Sequence, residues 1–286
     1  MLKREDIIGQ NELISRIDSL IENNNFPRFS IIIGPKNSGK KLIANYIADK
    51  LNATFIPCEV KAEDVRNIVN ESYVQSELMC YMWADSDTMS LTSKNAILKI
   101  TEEPPQKAYF IITLNDINNM LPTIISRGTK FLMNAYSENE LMQYATNKQY
   151  DFSKHKDIIF SICSNPGDID SLFEYNVDNF IAFTEKVINC IGIASPQNAL
   201  KLSNNFILKK EEKSDIEKYD IILFIHAVSS ICLSRLKETN NFIYGDACKL
   251  CAECISEFRI STVSKLAVLD RWLLNMRELF SDKEVN

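Results

Sequence analysis

Residues 34–41 read Gly-Pro-Lys-Asn-Ser-Gly-Lys-Lys, a spacing suited to holding phosphate. In the pattern G-x-x-x-x-G-K-[ST], the glycines let backbone N–H groups close around an anion, the lysine pairs with the terminal phosphates, and the last hydroxyl binds Mg²⁺. Gly34, Gly39 and Lys40 fill the first roles, but Lys41 stands where the hydroxyl belongs and has no lone pair for a metal. Lys40 has two readings that the sequence leaves open. It meets phosphate, or it caps nearby carbonyls and pairs with Asp85 or Asp87. If nucleotide binds, the extra charge of Lys41 replaces part of the missing Mg²⁺ charge, giving binding without reaction.

Such a loop works only between a strand and a helix. Residues 29–33, Phe-Ser-Ile-Ile-Ile, form a β-branched apolar run fit for a buried parallel strand, and residues 41–48 carry helical periodicity. Further strands are expected at 54–56, 79–83, 108–113 and 129–133, and helices at 62–75 and 93–103. Pro104 and Pro105 stop the second helix, because the residue before a proline is pushed out of the helical region. This alternation over residues 6–135 predicts an α/β layer fold with a mainly parallel sheet. After Tyr136 the strand signals end. Ser137 and Glu140 have capping-box spacing and open a small helical module running to about residue 175. A weak linker at 176–178 then leads to roughly five helices, broken at Ser195-Pro196, at 209–214 and at 238–241. The expected domains are therefore 1–136, 137–176 and 177–286.

With 286 residues, 45% hydrophobic and 24% charged, the chain can bury a substantial core. A net charge of −6 argues against coating nucleic acid unaided. No apolar run approaches the ~18 residues needed to span a bilayer, and the opening residues lack the apolar stretch of a signal peptide, so a cytoplasmic protein with no membrane partner is expected. The 8 cysteines are scattered and read as mostly buried thiols. Cys248, Cys251 and Cys254 fall at helical spacing. Zinc needs four ligands, so these three are read as packing residues and no zinc is expected. His155 and His226 are isolated and read as packing or surface residues.

Residues 91–105 closely resemble the "N-A-L-L-K-x-x-E-E-P-P" stretch of DNA-polymerase clamp loaders. Residues 120–128, Met-Leu-Pro-Thr-Ile-Ile-Ser-Arg-Gly, are similar to "L-L-P-T-I-x-S-R-C" of the same family, and residues 6–10 to its "D-[IV]-I-G-Q" opening. The resemblance implies an AAA+ P-loop core, a helical lid and an all-α collar that joins subunits. It also implies ATP bound between neighbouring subunits, a ring-shaped sliding clamp that is opened, and primed DNA on which the clamp is placed. The four-cysteine zinc module common in bacterial relatives is missing, since residues 50–61 hold only Cys58.

The same resemblance assigns roles and exposes departures. Ala84 stands at the metal-binding aspartate of the Walker B motif, and Asp85 at the glutamate that prepares water. The lid's sensor arginine falls near Gly167. Asn115 is chosen over Thr113 as the sensor-1 residue, with a turn-forming asparagine as the equal alternative. Arg127 matches the finger that reaches into the adjacent subunit's nucleotide site, with a surface ion pair as the alternative, while Gly128 replaces the usual cysteine and frees the backbone there. Lys94 and Lys99 are candidates for weak phosphate contacts, or a solvated helix face.

These departures point to a chain that turns over no ATP on its own, needs no cofactor, and leaves ATP or ADP binding open. The combination resembles a delta-prime type of subunit, acting as scaffold and finger donor beside gamma/tau-type ATPase and delta subunits. An ATP-hydrolysing subunit of gamma/tau or replication-factor-C small-subunit type is the alternative, followed by an AAA+ interaction protein outside replication.

Overall fold

The apolar run at 29–33 forms the interior strand β1 (Phe29–Ile33), flanked on both sides by parallel partners. The computed structural model describes residues 4–207, 219–258 and 263–281. The other strands are β2 (Thr54–Cys58), β3 (Met79–Trp83), β4 (Ala108–Leu114) and β5 (Thr129–Leu132), in the order β2-β3-β4-β1-β5 and all parallel. β2 runs two residues further than its sequence signal, through Pro57. It is an edge strand, where a missing N–H costs no ladder bond.

Helices cover both faces of the sheet, which explains why its strands are continuously apolar. One face buries Ile32, Ile111 and Phe131 against α1 (Asn11–Glu22) and α2 (Lys40–Lys50), through Ile14, Ile17, Ile43 and Ile47. The other buries Ile31, Phe110 and Trp83 against α3 (Ala62–Ser72), α4 (Leu91–Glu102) and α5 (Pro122–Arg127), through Val65, Ile97, Ile100 and Ile124. Adjacent residues of β1 thus serve opposite cores, as the period of two requires.

Gly128 follows α5 with an ordinary φ of −89°, so backbone freedom does not account for it. A Cβ there would lie 2.5 Å from Ile31 Cδ1 and 2.9 Å from Phe29 Cε1. The glycine is needed because β5 starts directly against β1. Gly128→Ala is expected to destabilise the fold at the lower end of the ~1–3 kcal/mol typical of overpacking, read as a lowered urea midpoint at unchanged slope.

The anticipated capping box begins α6 (Glu138–Asn147). Ser137 N–H donates to Glu140 Oε2 at 2.8 Å, and Glu140 N–H donates to Ser137 Oγ at 3.3 Å. Chain contacts define two units, Met1–Tyr144 with Asn165–Gly167, and Ala145–Ser164 with Asp168–Asn286.

The second unit is helical. It contains α7 (Lys156–Ile162), most of α8 (Pro166–Glu174), α9 (Val177–Cys190), α10 (Pro196–Ile207), α11 (Ile221–Thr239), α12 (Phe242–Phe258) and α13 (Lys265–Ser281). The linker expected at 176–178 reduces to the single cap Asn176, whose side chain accepts from Asn179 N–H. The breaks at Pro196 and after Thr239 fall where anticipated. The charged break at 209–214 lies outside the described residues, as do Ser261 and Thr262 ahead of the last helix. Leu269, Trp272, Leu273 and Met276 of α13 are buried, and the Trp272 ring meets Phe224 of α11 edge-on.

Cys251 and Cys254 are buried within the unbroken α12, where burial pushes the Cys254 thiol up to about 12. Among the described residues, no group of three or more His, Cys, Asp or Glu is arranged to hold a metal ion, and no helix is long and apolar enough to cross a membrane.

Candidate functional site

Three neighbouring strands, β1, β3 and β4, deliver the site at their carboxyl ends, the edge where parallel α/β sheets gather ligands. Gly34 leaves β1 with its N–H on Leu114 O at 3.1 Å, and Gly39 caps α2 at φ 89°. Lys40, the first residue of α2, is only 7% exposed. Its Nζ donates to Gly34 O at 2.9 Å, to Pro35 O at 2.6 Å and to Asn115 Oδ1 at 2.8 Å. An ammonium has three hydrogens, and all of them are committed within the chain. Burial pushes the Lys40 pKa down, and the Asp85 and Asp87 carboxylates oppose that shift.

Asn115 connects this lysine to two acids. Its Nδ2 donates to Asp85 Oδ1 at 2.9 Å, and its backbone N–H to Asp87 Oδ1 at 3.1 Å. Asp85 leaves β3 in the left-handed region at φ 47°, a conformation that short polar side chains tolerate. Its N–H donates to the buried Thr113 Oγ1 at 2.9 Å. Gly34, Gly39, Lys40, Asp85 and Asn115 are therefore brought together. Thr113 and Asn115, which competed for one role in the sequence, both take part: one holds the Asp85 backbone, the other its carboxylate. Lys41 sits next in α2 and is exposed.

The loop's outer carbonyls are also engaged. Tyr136 Oη donates to Ser38 O at 2.9 Å, and Gly167 N–H donates to Asn37 O at 3.1 Å. A Cβ on Gly167 would lie 3.0 Å from both Asn37 Cβ and Asn37 O. The position near which the resemblance puts a sensor arginine is thus one where a side chain is crowded out by the phosphate loop.

Arg127 ends α5 outside this cluster, with its side chain 36% exposed. Its Nη1 donates to Thr123 O at 3.0 Å, and its Nη2 pairs with Glu102 Oε1 at 2.9 Å. Lys94 is committed to backbone, donating to Asn119 O at 2.6 Å and Asp87 O at 3.1 Å, which braces the turn that carries Asp87. Lys99 lies 4.6 Å over the Tyr73 ring. Glu102, Tyr136 and the bridging role of Asn115 escaped the sequence reading. Their partners are distant in sequence, and no local spacing rule joins residues 102 and 127, or 136 and 38.

Residues 57–137 match the protein family described as DNA polymerase III, delta subunit. The DNA polymerase III subunit gamma of Buchnera aphidicola (from Acyrthosiphon pisum) is 24% identical over 79% of this chain and 72% of its own length. These matches support an AAA+ clamp-loader family member. Replication factor C subunit 3 of Schizosaccharomyces pombe is 22% identical over 93% of this chain and 80% of its own length. The similarity spans 47% of a second Buchnera gamma subunit and 25% of the Haemophilus influenzae tau/gamma subunit. In fold, the chain resembles the RuvB Holliday junction branch migration motor of Thermotoga maritima. The TM-score is 0.50 at 13% identity, over 72% of this chain and 78% of that one.

Proposed function

We propose that this clamp-loader chain is a delta-prime-like subunit that hydrolyses no ATP, braces the assembly and supplies an arginine to a neighbouring ATPase site. One observation carries the reading. Every donor of Lys40 Nζ is already taken by Gly34 O, Pro35 O and Asn115 Oδ1, so a terminal phosphate finds none free. The residues also fit Mg²⁺ poorly. Lys41 and Ala84 offer no side-chain oxygen at the two protein positions that hold the ion in the family, and the Asp85 carboxylate is bonded to Asn115.

Arg127, by contrast, is intact and accessible at the end of α5. A site without turnover beside a usable finger fits a subunit that acts on its neighbours. The partners are then gamma/tau-type and delta-type subunits, and through them the sliding clamp and primed DNA. The three parts of such a subunit are the core at 1–136, the lid at 137–176 and the collar at 177–286. The similarity to gamma subunits supports a second reading, an ATP-hydrolysing subunit whose site rearranges on binding. Titration of the purified chain with a fluorescent ATP analogue, with and without Mg²⁺, followed by a turnover assay, separates the two. No turnover, with binding that ignores Mg²⁺ or is undetectable, is expected. Mg²⁺-dependent binding with turnover would establish the second reading instead.

A further inference from the structure

The guanidinium of Arg127 is held at both ends by the chain itself. Nη1 bonds to Thr123 O in its own helix, and Nη2 to Glu102 Oε1 on the last residue of α4. A long side chain on the final turn of a six-residue helix would otherwise sample many rotamers, and ordering it on contact with a phosphate has an entropic cost. Two fixed bonds from separate elements remove most of that freedom in advance. They leave Nε and the second hydrogens of both terminal nitrogens for an incoming oxyanion. Glu102 is itself 57% exposed and accepts no other bond that would justify its orientation, so its carboxylate is available for this task.

We infer that Glu102 is a positioning residue that pre-sets the Arg127 guanidinium for insertion into the neighbouring subunit's site. The inference rests on the finger role proposed above. A held guanidinium meets the charge that develops in the neighbour's reaction without first reorganising, which acts on the chemical step rather than on nucleotide binding. The sequence gives a reason for the arrangement. Pro104 and Pro105 end α4 just past Glu102, so its carboxylate stands on a helix end of fixed position instead of a mobile loop.

The test is a steady-state ATPase assay on the full loader, reconstituted with its ATP-hydrolysing subunits. The chain is supplied as wild type, Glu102→Ala, Glu102→Gln, Arg127→Ala, or Glu102→Ala with Arg127→Ala. Glu102→Ala is expected to lower kcat about two- to fivefold, the range for losing one exposed charged pair, with KM unchanged. Glu102→Gln, which keeps the acceptor oxygen, should recover part of the loss. On the Arg127→Ala background Glu102→Ala should change nothing further, because its effect passes through the arginine. Three outcomes overturn the inference while leaving the finger role standing: Arg127→Ala is defective but Glu102→Ala has wild-type kcat, Glu102→Ala is faster than wild type, or Glu102→Ala lowers activity equally on both backgrounds. An Arg127→Ala loader with wild-type turnover removes the finger role and this inference together.

Discussion

In a loader reconstituted with its ATPase subunits, Arg127→Ala should cut ATP turnover at the site that this chain faces by ~10³- to 10⁵-fold, the worth of a trans-acting arginine in other phosphoryl-transfer systems. The protein itself should be undisturbed. Arg127 is 36% exposed, and its ion pair with Glu102 belongs to a class worth ~0–1 kcal/mol, so the variant's thermal midpoint should stay within a few degrees of wild type. A large kinetic effect with a small stability effect is the signature of a group that works outside its own fold. Arg127→Lys should not restore activity, because a lysine keeps the charge but lacks the planar fork that meets two phosphate oxygens at once. Gel filtration of the variant complex must show normal assembly for the rate to be interpretable. If the assembled Arg127→Ala loader hydrolyses ATP at the wild-type rate, Arg127 is a surface ion pair and the proposed subunit role loses its arginine-donating half.

The parts of this molecule written in local sequence were readable, and the parts written across the sheet were not. β1, β3 and the capping box of α6 follow from runs of a few residues, because burial on both faces or a reciprocal hydrogen bond dictates residue type at short range. The same holds for the helix end before Pro104 and the turn before Phe242. Gly128 illustrates the other case. From sequence its value is backbone freedom, yet its φ is ordinary, and the demand comes from Ile31, nearly a hundred residues earlier and in the adjacent strand. The site divides in the same way. The phosphate loop announced Gly34, Gly39 and Lys40 by spacing alone, whereas the side chain that takes the third hydrogen of Lys40 is Asn115, 75 residues on, and not Asp85 or Asp87, the partners offered from the sequence. What the sequence left undecided, whether Lys40 is free for phosphate or tied to its surroundings, is a question of where three strands end relative to each other.

That arrangement predicts that Asn115→Leu will be costly for a partly exposed polar residue, by about 1.5–3 kcal/mol, the range for hydrogen bonds to charged groups. Leucine keeps the branching and heavy-atom count of asparagine but has bulkier ends, so the bare loss mixes packing with hydrogen bonds and the coupling must separate them. Asn115 is the one side chain here that accepts from the Lys40 ammonium through Oδ1 while donating to the Asp85 carboxylate through Nδ2. Without it, a lysine that is 7% exposed keeps only its two loop carbonyls, and the two acids face each other with no amide between them. Coupling identifies the cause. If the amide acts by satisfying Lys40, then Asn115→Leu should cost markedly less on a Lys40→Met background, with a non-additive term of 0.5 kcal/mol or more in urea unfolding, where about 0.5–3 kcal/mol is usual for residues in one network. A plain turn asparagine would instead lose a few tenths and show no coupling. The stability of this chain would then owe nothing to the bridge, and Lys40 would be as free for nucleotide as in an ordinary phosphate loop. A substantial coupled loss would mean that the chain's own amide occupies the place of the phosphate oxygen, so that nucleotide can enter only by displacing it.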